Sequence, residues 1–183
     1  MGKEFKTEID RQLDHLKTVL MDSEEWLMDQ ILAYAIRQGY AAYTSTLKEA
    51  WRLSISGLTR SIIDGIKTGR GIPELNPEEE LQDDPVAVFG IVEAQRHRER
   101  GISLNMFLGL MKYYRQSYID LVRLKAESTR VFENYELFLN RVFDRIEIGF
   151  CIEWSGSKGD IAVQELQISN RLMTNEKNKY LTI

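Results

Sequence analysis

The sequence predicts an all-α fold of about six helices followed by a coiled-coil-like C-terminal helix. Three observations point to the all-α class. The only prolines, Pro73, Pro77 and Pro85, fall in one short zone, so the long stretches on either side are free to be helical. Apolar residues recur at three- and four-residue spacing along most of the chain. No segment of any length alternates apolar and polar residues as a half-buried strand would. With 183 residues, 43% of them apolar, the chain can bury a core of one domain's size.

The first predicted helix runs from Lys3 to Leu20, with Phe5, Ile9, Leu13, Leu16 and Leu20 on one face. Ser23, followed by Glu24 and Glu25, is placed to cap a second helix carrying Trp26, Leu27, Ile31, Tyr34 and Ala35, which weakens near Gly39. Thr46-Leu47-Lys48-Glu49 fits a capping box. The helix it opens shows Leu47, Trp51, Ser54, Leu58, Ile62 and Ile66 at helical spacing and ends at Gly69–Gly71. The stretch from Gly69 to Asp83 reads as a loop. Its acidic run, Glu78–Glu80, reads as a solvated face, with a partner-docking patch as the alternative.

Asp84 to Val122 reads as two helices joined by a tight polar corner. Asp84 caps the first, and Pro85 sits where its missing N–H costs nothing. Gly101 closes that helix and Ser103 opens the next. Ser128 then caps a long helix with Phe132, Tyr135, Leu139, Val142, Phe143, Ile146 and Phe150. Apolar residues cover more than one of its faces, which predicts a central position in the core. The lone cysteine, Cys151, lies in this apolar run and reads as a buried small hydrophobe rather than a reactive thiol.

A weak break is expected at Ser155-Gly156-Ser157-Lys158-Gly159, dividing the chain into a helical domain at 1–154 and a linker and helix at 155–183. In the tail, Val163, Asn170 and Lys177 repeat every seven residues, as do Leu166, Met173 and Tyr180. That is an a/d register with apolar d positions and, after the first, polar a positions, which weaken a coiled coil but specify its register. The end at Leu181-Thr182-Ile183 has no cap or stop signal and reads as a cut inside a longer protein.

Composition limits the partners. A net charge of −4 gives no electrostatic reason to expect nucleic acid or anionic lipid. One cysteine allows no internal disulfide, which fits a reducing compartment. The N-terminus is charged throughout and shows no signal peptide, and Lys6 stands where a myristoylation signal wants Ser or Thr. No apolar run approaches the roughly 20 residues a membrane span needs. The expectation is a soluble, cytoplasmic chain.

Most tests for chemistry come out negative. The two histidines, His15 and His97, are far apart and no cysteine pair exists, so no usual metal site is expected. No nucleophile elbow, P-loop or dinucleotide fingerprint occurs, and no catalytic residues are assigned. Glu93 and His97, four apart, suggest a helix-surface hydrogen bond. Haem ligation by His97 is disfavoured by its charged neighbours Arg96, Arg98, Glu99 and Arg100, which suit a solvated corner or an anion contact better than a deep apolar pocket. No cofactor is expected. What remains is a polar constellation: Arg96, His97, Arg100, Tyr113, Tyr114, Arg115 and Tyr118. Arg96, His97, Arg100, Tyr114, Arg115 and Tyr118 are the candidate site for a small anion or carboxylate effector. The structural alternative is tyrosine rings in a helix interface and arginines tying helix ends to glutamates.

The run Leu47–Ile66, followed by Asp84–Val122, resembles the N-terminal domain of the RsbR/RsbRD family. The matching features are Trp51 with Leu58 and Ile62, Asp84-Pro85 with Phe89-Gly90, Glu93-Ala94 with Arg96-His97, Arg100-Gly101-Ile102, and Leu110 with Tyr114-Arg115. The resemblance covers roughly Thr46 to Arg123, less than half of the chain. It implies a globin-like or related bundle without haem, acting as a dimeric sensor module in front of a bacterial signalling output. RsbR proteins carry a STAS domain after this module, and nothing here resembles one. The stretch Asn170–Ile183 looks like the helix that leads into a PAS domain in sensor kinases, which favours a histidine-kinase parent. Val163, Leu166, Asn170, Met173, Lys177 and Tyr180 would form its signalling seam across a homodimer. The alternatives are a stressosome-type scaffold that binds partner proteins and a haem or cofactor gas sensor.

Overall fold

The computed structural model describes residues 7–44, 48–68 and 71–180, with side chains described over 7–44, 48–67 and 71–156. Among the described residues the chain is all-α, with six helices and no strand. They are α1 (Glu8–Met21), α2 (Glu24–Arg37), α3 (Lys48–Thr68), α4 (Pro85–Glu99), α5 (Leu104–Lys125) and α6 (Thr129–Tyr180). Two short 3-10 turns, Tyr40–Tyr43 and Leu81–Asp83, follow α2 and precede α4.

Local chemistry fixes most helix ends. Thr7 and Asp10 form a reciprocal capping box at α1, a signal the sequence analysis passed over by starting that helix at Lys3. Asp84 accepts from the backbone N–H groups of Val86 and Ala87, both at 2.8 Å, as its position before Pro85 predicts. Gly101 has φ 78° and closes α4 in a Schellman motif. Its N–H donates to Arg98 O at 2.9 Å, and the Ile102 N–H donates to His97 O at 3.1 Å. Ser128 accepts from Val131 at 3.3 Å. Ser23 and Ser103 stand at the N-caps of α2 and α5, but their side chains make no capping bond. The box expected at Thr46 lies outside the described residues.

The core confirms the helical faces. Leu13, Leu16 and Leu20 of α1, Leu27, Ile31 and Ala35 of α2, and Trp51, Leu58, Ile62 and Ile66 of α3 are buried together. On α6, Tyr135, Leu139, Val142, Phe143, Ile146 and Phe150 are buried, and α1, α3, α4 and α5 all pack on it. Its most extensive neighbour is α4. The two meet backbone to backbone: a Cβ at Gly90 would strike the Ile146 carbonyl, and one at Gly149 the Ala87 carbonyl, both closer than the 3.0 Å that real Cβ atoms respect.

Three expectations are corrected. The helix runs without interruption through Ser155–Gly159, because Gly and Ser lower helix propensity by only about 1 kcal/mol or less each and no proline intervenes. Cys151 is exposed, because its neighbour Phe150 takes the core-facing position and nothing covers the next. Glu79 is not merely part of a solvated acidic face. It pairs with the buried Arg145 of α6 through two bonds of 2.7 and 2.9 Å. Arg145 also reaches Asp84 at 3.0 Å and Glu74 O at 2.6 Å, so one guanidinium ties the loop and the α4 cap to the central helix. Those hydrogen bonds hold the Glu79 carboxyl below its usual pKa.

Candidate functional site

A cleft of about 550 Å³ opens between the turn after α2, the start of α3, the end of α4 and the start of α5. Two stretches of the chain, 40–54 and 93–114, supply its walls. Tyr40 and Tyr43 come from the 3-10 turn, Trp51 and Ser54 from α3, Glu93, Arg96 and His97 from α4, and Phe107, Leu110 and Tyr114 from α5. Arg100 and Ile102, from the Gly101 corner, complete the rim.

Each polar group has a definite state. Arg96 pairs with Glu93 at 2.6 Å. The His97 Nδ1–H donates to the backbone carbonyl of Glu93 at 2.7 Å, so the expected Glu93–His97 hydrogen bond goes to the main chain; the Glu93 carboxylate is 3.9 Å away. With Nδ1 engaged, Nε2 is the ring nitrogen left to face a ligand. Tyr114 is buried, and burial pushes its hydroxyl pKa up to about 12, so it stays neutral. The Tyr114 and Ser54 hydroxyls are 3.3 Å apart, long for an O–H···O bond, so both keep capacity for another partner. The Arg100 side chain has no hydrogen bond or ion pair among the described residues.

The His97 side chain is only partly exposed at the corner. Its ring stacks on Phe107 at 4.2 Å between centroids, because the Gly101 corner folds the start of α5 back against the end of α4. Phe107 in turn packs on Phe150 at 4.6 Å and Trp154 at 5.8 Å, both on α6. A second void of about 40 Å³, bordered by Phe150, lies beside the same wall. His97, Phe107 and Tyr114, together with Ser54, Glu93 and Leu110, line both spaces and stand between them.

The six candidate residues therefore divide. Arg96, His97, Arg100 and Tyr114 converge on the cleft. Arg115 points to α6 instead, pairing with Asp144 and Glu147, both at 2.9 Å. Tyr118 is fully buried with its hydroxyl 2.7 Å from that of Thr59, and burial pushes its pKa upward. Tyr113 stacks on Tyr34 at 5.5 Å, outside the cleft. Val163, Leu166, Asn170, Met173, Lys177 and Tyr180 fall on the α6 backbone, with side chains outside the described residues. Sequence reasoning missed Tyr40, Tyr43 and Trp51 as lining residues. One available signal was Ser54, a hydroxyl interrupting an otherwise apolar helix face.

Among the described residues no group of His, Cys, Asp and Glu could hold a metal ion, and no helix is long and apolar enough to cross a membrane. The class that fold and site define is an all-α bundle with a ring-lined cleft beside its central helix. No family model, curated protein or solved structure matches the chain.

Proposed function

We propose that this chain is a non-catalytic sensory input domain of a bacterial cytoplasmic signal-transduction protein, in front of a PAS or histidine-kinase output. The observation that carries the reading is the ring partition. A ligand in the cleft would press on His97 and Phe107, and Phe107 already touches Phe150 and Trp154 of α6. The small void gives the partition room to move. Arg98 on α4 is bonded to Glu153 on α6 at 2.6 Å, so the two helices are joined at the same level. From Trp154, α6 continues as helix to Tyr180, in the heptad pattern that suits a homodimeric seam. The ligand would act by favouring one of two packings of α6, which requires that it bind them with different affinity. The resemblance to the RsbR/RsbRD N-terminal domain, and through it a globin-like arrangement, supports the same reading.

Sedimentation equilibrium tests the transmission step. The chain is expected to dimerise, and a version lacking Asp160–Ile183 to be monomeric. A full-length chain that stays monomeric, or a truncated one that still dimerises, overturns it. A second reading, haem sensing, has one observation in its favour: Nδ1–H of His97 is bonded to a carbonyl, the second-shell arrangement that orients Nε2 toward a metal. Absence of a Soret band after haem reconstitution removes it.

A further inference from the structure

The cleft has a chemical sidedness that selects a class of ligand. Its interior is lined by the rings of Trp51, Phe107 and Tyr114, and its rim presents Arg96 and Arg100. Glu93, the one carboxylate lining it, is already paired with Arg96 at 2.6 Å. The surplus at the rim is thus one positive charge, and it sits on Arg100, whose guanidinium has no partner among the described residues. Arg100 also stands on a fixed base: its N–H donates to His97 O at 3.1 Å, next to the Schellman closure at Gly101. Behind it, α5 begins at Ser103 without a side-chain cap, so the positive end of a 22-residue helix borders the same space. A cation entering here would meet two arginines. A phosphate dianion would carry one more charge than the rim offers. A monoanion matches the rim, and a flat body matches the ring-lined interior.

We infer that the cleft binds an aromatic carboxylate, with its rings among Trp51, Phe107 and Tyr114 and its carboxylate on the Arg100 guanidinium. The Tyr114 and Ser54 hydroxyls, each with spare hydrogen-bonding capacity, serve polar ring substituents. Tyr40 forms the outer wall and rests on a notch: a Cβ at Gly109 would collide with its hydroxyl. The inference names the ligand class for the sensory reading above, on which it rests for meaning but not for its test.

The probe is 2-naphthoate, titrated into the whole chain by calorimetry. Saturable one-to-one binding is expected, with a Kd on the order of 100 μM for so small a ligand. Arg100→Gln, an exposed substitution, is expected to weaken naphthoate by about tenfold or more and to leave the neutral 2-naphthalenemethanol unchanged. Gly109→Ala displaces Tyr40 and is expected to weaken both ligands alike. Decanoate, with the same headgroup on a flexible chain, is expected to bind several-fold more weakly than naphthoate. No saturable binding of naphthoate below ~5 mM, or an Arg100→Gln variant that binds it normally, overturns the site. Tighter binding of decanoate overturns the aromatic assignment. Naphthoate that binds as expected but leaves the oligomeric state and the kinase output of the parent protein unchanged leaves the site standing and overturns the sensory reading instead.

Discussion

Along its 15 residues α4 changes character. Its first half meets α6 through Ala87 and Gly90, with a backbone contact so close that no Cβ fits at Gly90 or at the facing Gly149. Its second half turns Glu93, Arg96 and His97 toward an open cleft of about 550 Å³. The first region brings small residues into close backbone contact. The second is lined by rings and hydroxyls with hydrogen-bonding capacity to spare. The difference teaches that small residues set the tight α4–α6 contact while longer ones on the other face leave room for a cleft, whose Phe107 wall stands against Phe150 and Trp154 of α6.

The firmest way to break this contrast is at the crossing. Gly149→Ala and Gly90→Ala are each expected to destabilise the fold by about 3 kcal/mol, since the added methyl meets a carbonyl oxygen that cannot withdraw. Thermal denaturation would show a drop of about 10 °C for either. The double variant is expected to lose less than the sum, because one methyl already separates the helices for the other. Near-normal stability in both single variants would mean that the crossing is not rigid.

Arg145→Met comes next. It removes the tie between the loop, the α4 cap and α6, at an expected cost of about 2 kcal/mol. That is less than for a fully buried pair, because Glu79 and Asp84 keep side-chain exposures of 30% and 21%. The same contact gives an acid signature. Glu79 is held below its ordinary value of 4.5, so its contribution is fully present above that pH and is lost as pH falls through the depressed folded value. Urea titrations below pH 4.5 are expected to show this loss in the wild type, with the Glu79 component missing from Arg145→Met.

Tyr118→Phe sharpens the edge of the cleft. Losing the 2.7 Å bond to Thr59 is expected to cost about 1 kcal/mol. Because Tyr118 does not line the cleft, naphthoate binding is expected to be unchanged. A lowered affinity would show that the cleft and the core beneath it are one unit. The smallest effect is expected at Cys151: the native chain is expected to react with a thiol reagent as completely as the unfolded one, because the side chain is exposed.

Legibility in the sequence followed the range of the interaction involved. Asp84-Pro85, Gly101 and the helical spacing of Tyr135, Leu139, Val142, Ile146 and Phe150 on α6 were readable because capping, turn conformation and periodicity act within a few residues. The α4 crossing was not. Its contact face is Ala87, Gly90 and Ala94, small residues that carry no hydrophobic signal, and their meaning depends on Gly149 sitting opposite. Arg145 was passed over as one more charge on a helix, since its partners Glu74, Glu79 and Asp84 lie more than sixty positions away. Of the candidate site residues, Arg96, His97, Arg100 and Tyr114 share one cleft, whereas Arg115 and Tyr118 turn toward α6 and α3. Residues three or four apart on one helix share a face only approximately, and a helix wedged among several others offers each of them a different face.

By itself, the sequence determined that this chain is helical, where most helices begin and end, and which residues enter the core, because those outcomes are set by local backbone preference and by the period of apolar side chains. Only the tertiary structure decided that a cleft exists, that Tyr40, Trp51, Arg100 and Phe107 face it together, and that its inner wall touches the central helix. Those are relations between surfaces brought together from two stretches, 40–54 and 93–114, and neither stretch carries them alone.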